Sequence, residues 1–414
     1  MSSDWTENRW GEIATLEYGK GLRGYEHAAG PYLVYGTNGP IGRHSEALCQ
    51  YASVIVGRKG AYRGIHYSPQ PFFVIDTAFY LQPKADIDTH WAYYELLTHD
   101  INGMDSGSAI PSTSREAFYN LRVMVPPLAE QQAIASILGA LDDKIELNRR
   151  VNATLEAMAR TIFQSWFVDF DPVRAKAEGR ETGLPADIAA LFPDGFVESE
   201  LGEIPEGWHC GQLNDLTGLL PGYAFKSQDW QKNGVPVVKI GSVKPGIVDV
   251  SEVSYVSESV AHKASKYRLK PGDLLVGMTG YVGEIGLVPP TDVYPLLNQR
   301  VGKFLVDRRG TSAASFIYCL TRRDVFRDMI KQVAHGSVQL NVSADSILNL
   351  PLIVPQKNLR DTFEDLCSPL FARILKNHSE TKTITDVRDS LLPRLISGEL
   401  RVPEVETLVE QAIT

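Results

Sequence analysis

The chain of 414 residues has few cysteines and no long apolar run. These two features argue against a zinc or disulfide-rich protein and against a membrane-spanning one. The four cysteines, Cys49, Cys210, Cys319 and Cys367, lack the short paired spacing of a zinc site or a disulfide framework. No apolar run reaches the roughly 18 residues that span a bilayer, and the start lacks the basic-then-apolar pattern of a signal peptide. We therefore expect a cytoplasmic protein with no metal site and no membrane partner.

Positive charge is also in deficit, but the deficit is uneven along the chain. The formal net charge is −9, yet residues 169–207 alone carry 3 Lys and Arg against 10 Asp and Glu. Residues 208–353 carry 16 against 12 and are net basic. Most of the net negative charge lies in one short stretch. The composition therefore does not exclude nucleic acid as a partner, but it does not indicate one either.

Sequence motifs of self-sufficient catalysis are missing. The closest approach to the Asn/Asp-Pro-Pro-aromatic loop of adenine methyltransferases is Asp171-Pro172-Val173. Gly19-Lys20 and Gly302-Lys303 lack the upstream glycine and the following Ser or Thr of a phosphate-binding loop. Asp273 and Glu284 lack the lysine that a nuclease pair requires, so a structural turn is the better interpretation. We therefore expect no catalytic residues in this chain.

What the chain does contain is an internal repeat, with an offset of 229 residues over most of the matching positions and different offsets at the last two matches. The matching positions are Gly107-Ser108 with Gly336-Ser337, Ser114 with Ser343, Asn120-Leu121 with Asn349-Leu350, Val125-Pro126 with Val354-Pro355, Trp10 with Trp208, and Val54–Gly57 plus Gly60 with Leu274–Gly277 plus Gly280. A period this long indicates two copies of a whole domain and its connector. For the recurring Gly-Ser loops, a structural turn is favoured over a shared backbone contact with a ligand.

Each copy combines short strands with a helix. β-prone runs broken by Gly, Pro and Asn predict strands at 32–35, 52–56, 72–81, 235–240, 273–276 and 302–306, and helices near 90–101 and 313–332. The predicted fold is a mixed α/β (α+β) protein with two strand-rich domains. The predicted segments are domain 1 at 1–124, a helix at 125–168, an acidic surface linker at 169–207, domain 2 at 208–353, a second helix at 354–400, and a tail at 401–414.

The two helical segments follow a seven-residue apolar rhythm, which predicts a coiled-coil seam. The predicted seam residues are Ile134, Leu138, Leu141, Ile145, Asn148, Leu155, Phe363, Leu370, Ile374, Asn377 and Ile384. Thr381 and Arg388 interrupt the second copy at seam positions. Two helices in a bundle core are the alternative, but a long antiparallel pair separating the two domains explains the duplication better.

At this point the chain resembles the DNA-specificity (S) subunits of type I restriction-modification systems. The resemblance rests on Val125-Pro126-Pro127-Leu128, on Glu130-Gln131-Gln132 and the helical run 138–172, on the second copy from Val354-Pro355, and on the ending Leu391–Leu400. It covers the order of domains and helices along essentially the whole chain, while the domains themselves match only in layout.

The resemblance implies that each domain is a target-recognition domain for one half of an interrupted, asymmetric site in double-stranded DNA. The paired helices would set the gap and dock two methyltransferase (M) subunits, which bring S-adenosylmethionine and modify adenine. Two restriction/translocase (R) subunits that use ATP and Mg would join for cleavage. This chain itself would be non-catalytic and bind no cofactor.

Basic and amide side chains in Gly-rich loops are the candidate DNA contacts, because DNA binding needs cations for phosphates and fork or amide groups for base edges. In domain 1 the strongest cluster is a predicted hairpin tip that presents Arg58, Lys59, Tyr62 and Arg63 together. The other candidates are Lys20, Arg23, Tyr25, Asn38, Arg43 and His44 in domain 1, and Lys226, Lys239, Ser242, Lys244, Thr279, Tyr281, Asn298, Gln299 and Arg300 in domain 2. The alternative for each is an ordinary solvated loop residue.

Two other functions fit the same layout. A non-catalytic adaptor or scaffold with two heads that bind proteins or glycans is compatible with the negative net charge. A stand-alone repressor is the other, and the lack of a recognisable helix-turn-helix pattern counts against it.

Overall fold

The computed structural model describes residues 4–25, 28–105, 107, 110–251, 253–306, 313–336 and 340–405. By its internal contacts the chain divides into two units. The first comprises the residues up to Glu146 and those from Thr383 onward, and the second comprises Leu147–Lys382. Within the part of the chain that the structure describes, no helix is both long and apolar enough to cross a membrane.

The first unit contains nine strands and three short helices in its N-terminal part, counted over the described residues. The strands are β1 Thr6–Arg9, β2 Ala14–Tyr18, β3 Tyr32–Gly36, β4 Gly39–His44, β5 Ser53–Gly57, β6 Ile65–Ser68, β7 Phe73–Val74, β8 Ala78–Pro83 and β9 Arg122–Val125. The helices are α1 Trp10–Ile13, α2 Thr89–Leu96 and α3 Arg115–Tyr119. The sheets have the orders β2-β8-β5-β6, β4-β3-β7 and β1-β9.

The core of the first unit joins both ends of the chain. Trp10 is fully buried and donates from Nε1 to Glu95 (2.8 Å). Around it pack Trp91, Phe118 and Leu138, and the same cluster includes Leu395 from the C-terminal region. The first domain is therefore completed by residues that follow the second domain in the sequence.

Two long helices follow the strand-rich parts of the chain. They are α4 Leu128–Phe167, with 40 residues, and a helix of equal length at Lys357–Ile396. Between them lie α5 Asp171–Ala177, α6 Ala186–Ala189, α7 Glu258–Lys263, α8 Ala314–Thr321, α9 Asp324–Val333 and α10 Ala344–Leu348, so the long C-terminal helix is α11. The sequence predicted one helix near 313–332, but extended backbone at Arg323 divides it into α8 and α9.

The second unit repeats the sheet plan of the first. Its strands are β10 Phe196–Ser199, β11 Gly202–Pro205, β12 His209–Gln212, β13 Gly218–Pro221, β14 Trp230–Gln231, β15 Val235–Val238, β16 Gly246–Ile247, β17 Ser254–Val256, β18 Leu274–Gly277, β19 Ile285–Leu287, β20 Leu296–Leu297, β21 Val301–Leu305 and β22 Pro351–Val354. The order β13-β21-β18-β19 matches β2-β8-β5-β6, the parallel pair β15-β20 matches β3-β7, and β12-β22 matches β1-β9. The internal repeat is confirmed.

One detail of the predicted repeat is wrong. Trp10 follows β1 and donates from its backbone N–H to Leu121 O, whereas the residue that makes the equivalent bond to Leu350 O is Leu213. Trp208 directly precedes β12, so its counterpart is Trp5, which directly precedes β1. A tryptophan near the start of each copy suggested the match, but strand pairing determines the register.

The predicted seam residues of α4 and α11 are all buried or half-buried. Ile134, Leu138, Ile145, Asn148, Phe363, Ile374 and Asn377 are buried, and Leu141, Leu155, Leu370 and Ile384 are half-buried. In the second unit Asn377 donates to Asn152 (2.8 Å), and in the first unit Arg388 donates to Asp142 (2.6 Å). Arg388, which interrupts the rhythm, and Asn377, a polar residue within it, are therefore each paired with a residue of the other helix, which opposes register shifts.

The acidic segment 169–207 packs more closely than a surface linker. It carries α5, α6 and the β10-β11 hairpin, and its Phe170, Val173 and Phe192 are buried in the main core of the second unit. The prediction of a surface linker is wrong for these residues. Its acidic side chains dominate the composition, whereas the buried residues are widely spaced and form no periodic pattern.

The aromatic cluster of the second unit gives a direct test of this fold. Phe363 of α11 is fully buried, and its ring lies 5.4 Å from Phe167 and 6.2 Å from Trp166, centroid to centroid. Phe363→Ala should lower the free energy of unfolding by about 3–5 kcal/mol, because it removes apolar burial and leaves a cavity. Leu366→Ala on the exposed side of the same helix should cost less than about 1 kcal/mol. Urea unfolding of both variants checks this, and equal losses would contradict the placement of Phe363.

Candidate nucleic-acid interface

The first tip loop, defined as residues 57–64, joins β5 to β6. It is closed by a hydrogen bond from Gly57 N to Gly64 O (2.8 Å). Three more backbone bonds hold it, from Arg58 N to Thr77 O (2.9 Å), from Thr113 N to Arg58 O (2.9 Å), and from Gly60 N to Pro111 O (3.0 Å). Since backbone groups make these four bonds, none of the four depends on the identity of a side chain in the loop.

The second tip loop, defined as residues 277–284, joins β18 to β19 and has the same length. Its backbone bonds run from Gly277 N to Glu284 O (2.8 Å), from Met278 N to Arg300 O (2.9 Å), from Val342 N to Met278 O (2.9 Å), and from Gly280 N to Leu340 O (2.9 Å). The four bonds are equivalent to those of the first tip loop. Between the two loops only the first and fourth residues, both glycine, are identical.

Both shared glycines are required by the backbone. A Cβ on Gly57 would overlap the carbonyl oxygen of Thr37, and one on Gly277 would overlap the carbonyl oxygen of Tyr281. Gly60 and Gly280 have φ of 118° and 77°, in the region that favours glycine. Two glycines and four backbone bonds therefore specify the scaffold, and the remaining positions differ between the copies.

Arg63 does not belong to the exposed tip. Its side chain is only 4% exposed, and its guanidinium donates to the carbonyl oxygens of Asn102 (2.7 Å) and Gly60 (3.0 Å). The prediction that the tip presents four side chains together is thus wrong for Arg63, which fastens the loop to the domain. Lys59 and Tyr62 of the same loop do reach solvent, and Lys59 Nζ lies 3.6 Å from Asp76.

Arg58 is folded back over an aromatic ring. Its guanidinium carbon lies 4.8 Å from the ring centroid of Tyr18, and its Nη1 donates to Asp76 O (2.9 Å). The guanidinium of Arg115 lies 5.0 Å from the same ring, which is itself half exposed. Two cations at one tyrosine form a basic and aromatic surface beside the first tip loop.

The other candidates of the first domain have different surroundings. Lys20, Arg23, Asn38 and Arg43 are exposed, and Tyr25 and His44 are half-buried. Arg43 donates to Gly30 O (3.1 Å), and the ring of His44 packs on Phe73, so these two also support the β3-β4 region. With its amide nitrogen turned towards the tip, Asn38 donates to Tyr62 O (2.8 Å) and therefore belongs to the tip surface.

In the second domain a second pairing of cation and ring appears. Lys239 Nζ lies 3.9 Å from the ring centroid of Trp230. Burial lowers the pKa of Lys239, and the positive charge of Arg300 lowers it further. Gln299 and Arg300 are exposed, and Thr279 of the second tip loop donates to Asn341 (2.7 Å). The candidates Lys226, Lys244 and Tyr281 are also exposed.

Two candidates of the second domain face inward. Asn298 is 4% exposed, and its carboxamide oxygen accepts from Arg300 N (3.2 Å). Ser242 is buried at the end of a short 3₁₀ turn, Ile240–Ser242. In the described structure Asn298 therefore shapes the loop that carries Gln299 and Arg300, instead of presenting its own amide.

Four residues that the sequence did not single out belong to these surfaces: Tyr18, Arg115, Trp230 and Asn341. Tyr18 is the last residue of β2, and Arg115 begins α3. Arg115 lies in no glycine-rich stretch, and Tyr18 precedes one as the last residue of a strand, so the search for basic and amide side chains in glycine-rich loops found neither. The repeat offered one signal, because Thr113 and Val342 bond to the tip loops and lie 229 residues apart.

Two copies of one backbone scaffold that carry different polar and basic side chains define a duplicated recognition protein. The family model for the type I restriction modification DNA specificity domain matches residues 2–157 and again residues 205–384. The chain belongs to this family, and each match falls on one of its two copies.

Individual proteins similar to this chain are specificity subunits of the same family. The chain is 27% identical over 350 residues to the type I restriction enzyme HindI specificity subunit of Haemophilus influenzae, covering 74% of each protein. It is 24% identical over 334 residues to the MjaIX specificity subunit of Methanocaldococcus jannaschii, covering 78% of this chain and 72% of the relative. The crystal structure of the S subunit from M. genitalium has the same fold, with a TM-score of 0.63, 16% identity and coverage of 96% and 97%.

Arg63 and Lys59, close neighbours in one loop, should respond differently to truncation. Arg63→Ala should lower the free energy of unfolding of the first domain by about 2–3 kcal/mol, because buried carbonyl groups lose a charged donor. Lys59→Ala should cost less than about 1 kcal/mol, since its ion pair with Asp76 is exposed. Thermal and urea unfolding of the full chain measure both, and a stable Arg63→Ala protein would contradict the anchoring role.

Proposed function

We propose that each domain reads one half of an interrupted, asymmetric site in double-stranded DNA. The observation that carries this proposal is the pair of tip loops, which share every scaffold bond described above but only two residues. A fixed backbone with variable side chains suits two related tasks with different targets. Different side chains on the two copies imply two different half-sites.

The chemistry of the exposed groups supports a division between holding and reading. Lys20 and Lys59 supply cations for phosphates in the first domain, and Lys239 supplies one in the second. Exposed Gln299 and Arg300 have the side chains that pair with adenine and guanine in the major groove. We propose that Arg300 reads a guanine and that Gln299 reads an adenine in the second half-site.

We further propose that α4 and α11 set the distance between the half-sites and dock two methyltransferase subunits. Those subunits would bring S-adenosylmethionine and modify adenine, and two restriction/translocase subunits would use ATP and Mg. This chain would then be a non-catalytic subunit that contributes sequence specificity alone. The paired residues Asn152 with Asn377 and Asp142 with Arg388 support the spacing role, because they resist sliding of one helix along the other.

Charge reversal tests whether the basic surface of the first domain binds DNA. The double variant Lys20→Glu, Lys59→Glu, in complex with the methyltransferase encoded beside it, should bind its site at least about tenfold more weakly. Its affinity should depend less on salt, with the logarithmic slope reduced by about two, one unit for each lost phosphate contact. Fluorescence anisotropy over a salt series measures both quantities.

The matched control is Arg122→Glu, which reverses an exposed charge on β9 whose partner is Glu7 (3.2 Å). It should leave the affinity within about twofold of the unmodified complex and the salt slope unchanged. If both variants behave alike, Lys20 and Lys59 do not contact phosphates. An unchanged slope for the double variant would favour the two-headed adaptor that binds proteins or glycans.

A further inference from the structure

Each tip loop exposes one tyrosine. Among the described residues no large hydrophobic or aromatic side chain is more exposed than Tyr62, at 81%, and Tyr281 follows at 66%. Isolated exposed apolar residues are common on protein surfaces and need no explanation one at a time. Here the two most exposed ones lie in the two loops that share a scaffold, which calls for a common reason.

The two rings do not serve the fold. Within the described part of the chain, neither ring stacks on another aromatic ring or belongs to a hydrophobic core cluster. The loops hold their shape through backbone bonds and glycines, and Arg63 anchors the first of them. A tyrosine ring that packs in no core and is exposed to water is available for contact with another molecule.

The position of the ring differs between the loops. Counted from the first glycine of each loop, Gly57 or Gly277, Tyr62 is the sixth residue of the first tip loop and Tyr281 is the fifth residue of the second. The equivalent positions hold Ala61 in the first loop and Val282, which is buried, in the second. On one scaffold, a shift of one position directs the ring to a different place on a ligand.

We infer that Tyr62 and Tyr281 are specificity-determining residues, each packing its ring against base edges, such as a thymine methyl group, in the major groove of its own half-site. This inference rests on the proposed function, since it takes DNA as the molecule that covers both loops. A tyrosine ring offers a large apolar face at little cost in side-chain entropy, because it has few rotatable bonds. Replacing a tyrosine leaves the number of lysines and arginines at the surface unchanged, so its contribution to binding is separable from that of the lysines by salt dependence.

The experiment uses the full chain in complex with its neighbouring methyltransferase, and reads both the genome-wide pattern of modified adenines and binding to a site duplex. Tyr62→Ala should weaken binding about tenfold to a hundredfold and relax the recognised bases in one half of the motif, as expected for the loss of one specific base contact. Tyr281→Ala should do the same in the other half. The slope of affinity against salt should not change, in contrast to the lysine variants.

Three controls separate the ring from other causes. Tyr62→Phe and Tyr281→Phe keep the ring and should stay within about twofold of the unmodified complex. Tyr294→Ala removes an exposed tyrosine of the second domain outside the tip loop and should leave the motif unchanged. Thermal unfolding should be the same for all five variants, because neither tip ring is packed in a core.

The outcomes are distinguishable. If the unmodified complex yields an interrupted motif and both alanine variants keep its bases and affinity within twofold, the role of the tyrosines is refuted while the proposed function stands. Relaxation of the same half by both variants would also refute it, because each ring is assigned to its own half-site. If the unmodified complex binds no specific site, the proposed function fails and this inference fails with it.

Discussion

The backbone hydrogen bond that closes each tip loop is the constraint on which both recognition surfaces depend. It runs from Gly57 N to Gly64 O and from Gly277 N to Glu284 O, at 2.8 Å in each case. A bond of this kind contributes only about 1 kcal/mol net, but leaving its groups unpaired costs more. Because the backbone and two glycines carry the shared geometry, the exposed positions of each loop can differ, whereas buried residues such as Arg63 and Val282 also serve the fold.

The two domains support their cations in the same physical way with different residues. In the first, Arg58 and Arg115 flank Tyr18, and in the second Lys239 lies over Trp230. A ring face attracts a cation and restricts its motion, so the charge is held ready before a ligand arrives. One scaffold can therefore carry unlike sequences without giving up a preorganised basic surface.

Helix periodicity and the internal repeat could be predicted from the sequence, because both depend on local spacing. The rhythm of Ile134, Leu138 and Ile145 locates a long helix, and the offset of 229 residues locates the second copy. Arg63 could not be assigned, because its acceptor Asn102 is distant in sequence and a basic residue beside a glycine resembles a surface residue. The burial of Phe170 and Phe192 could not be predicted either, because they lie in an acidic segment.

The order in which the core of the first unit is assembled has a consequence for biosynthesis. Trp10 and Leu138 share their cluster with Leu395 and Leu400, whereas the second unit is one continuous stretch, Leu147–Lys382. On the ribosome, the first unit cannot complete its core until residues 395–400 have been synthesised. The second unit has its full sequence as soon as Lys382 has been synthesised. A nascent chain of this protein therefore exposes part of the apolar surface of its first core until Leu395 and Leu400 have been made, and such exposed surface is prone to aggregation.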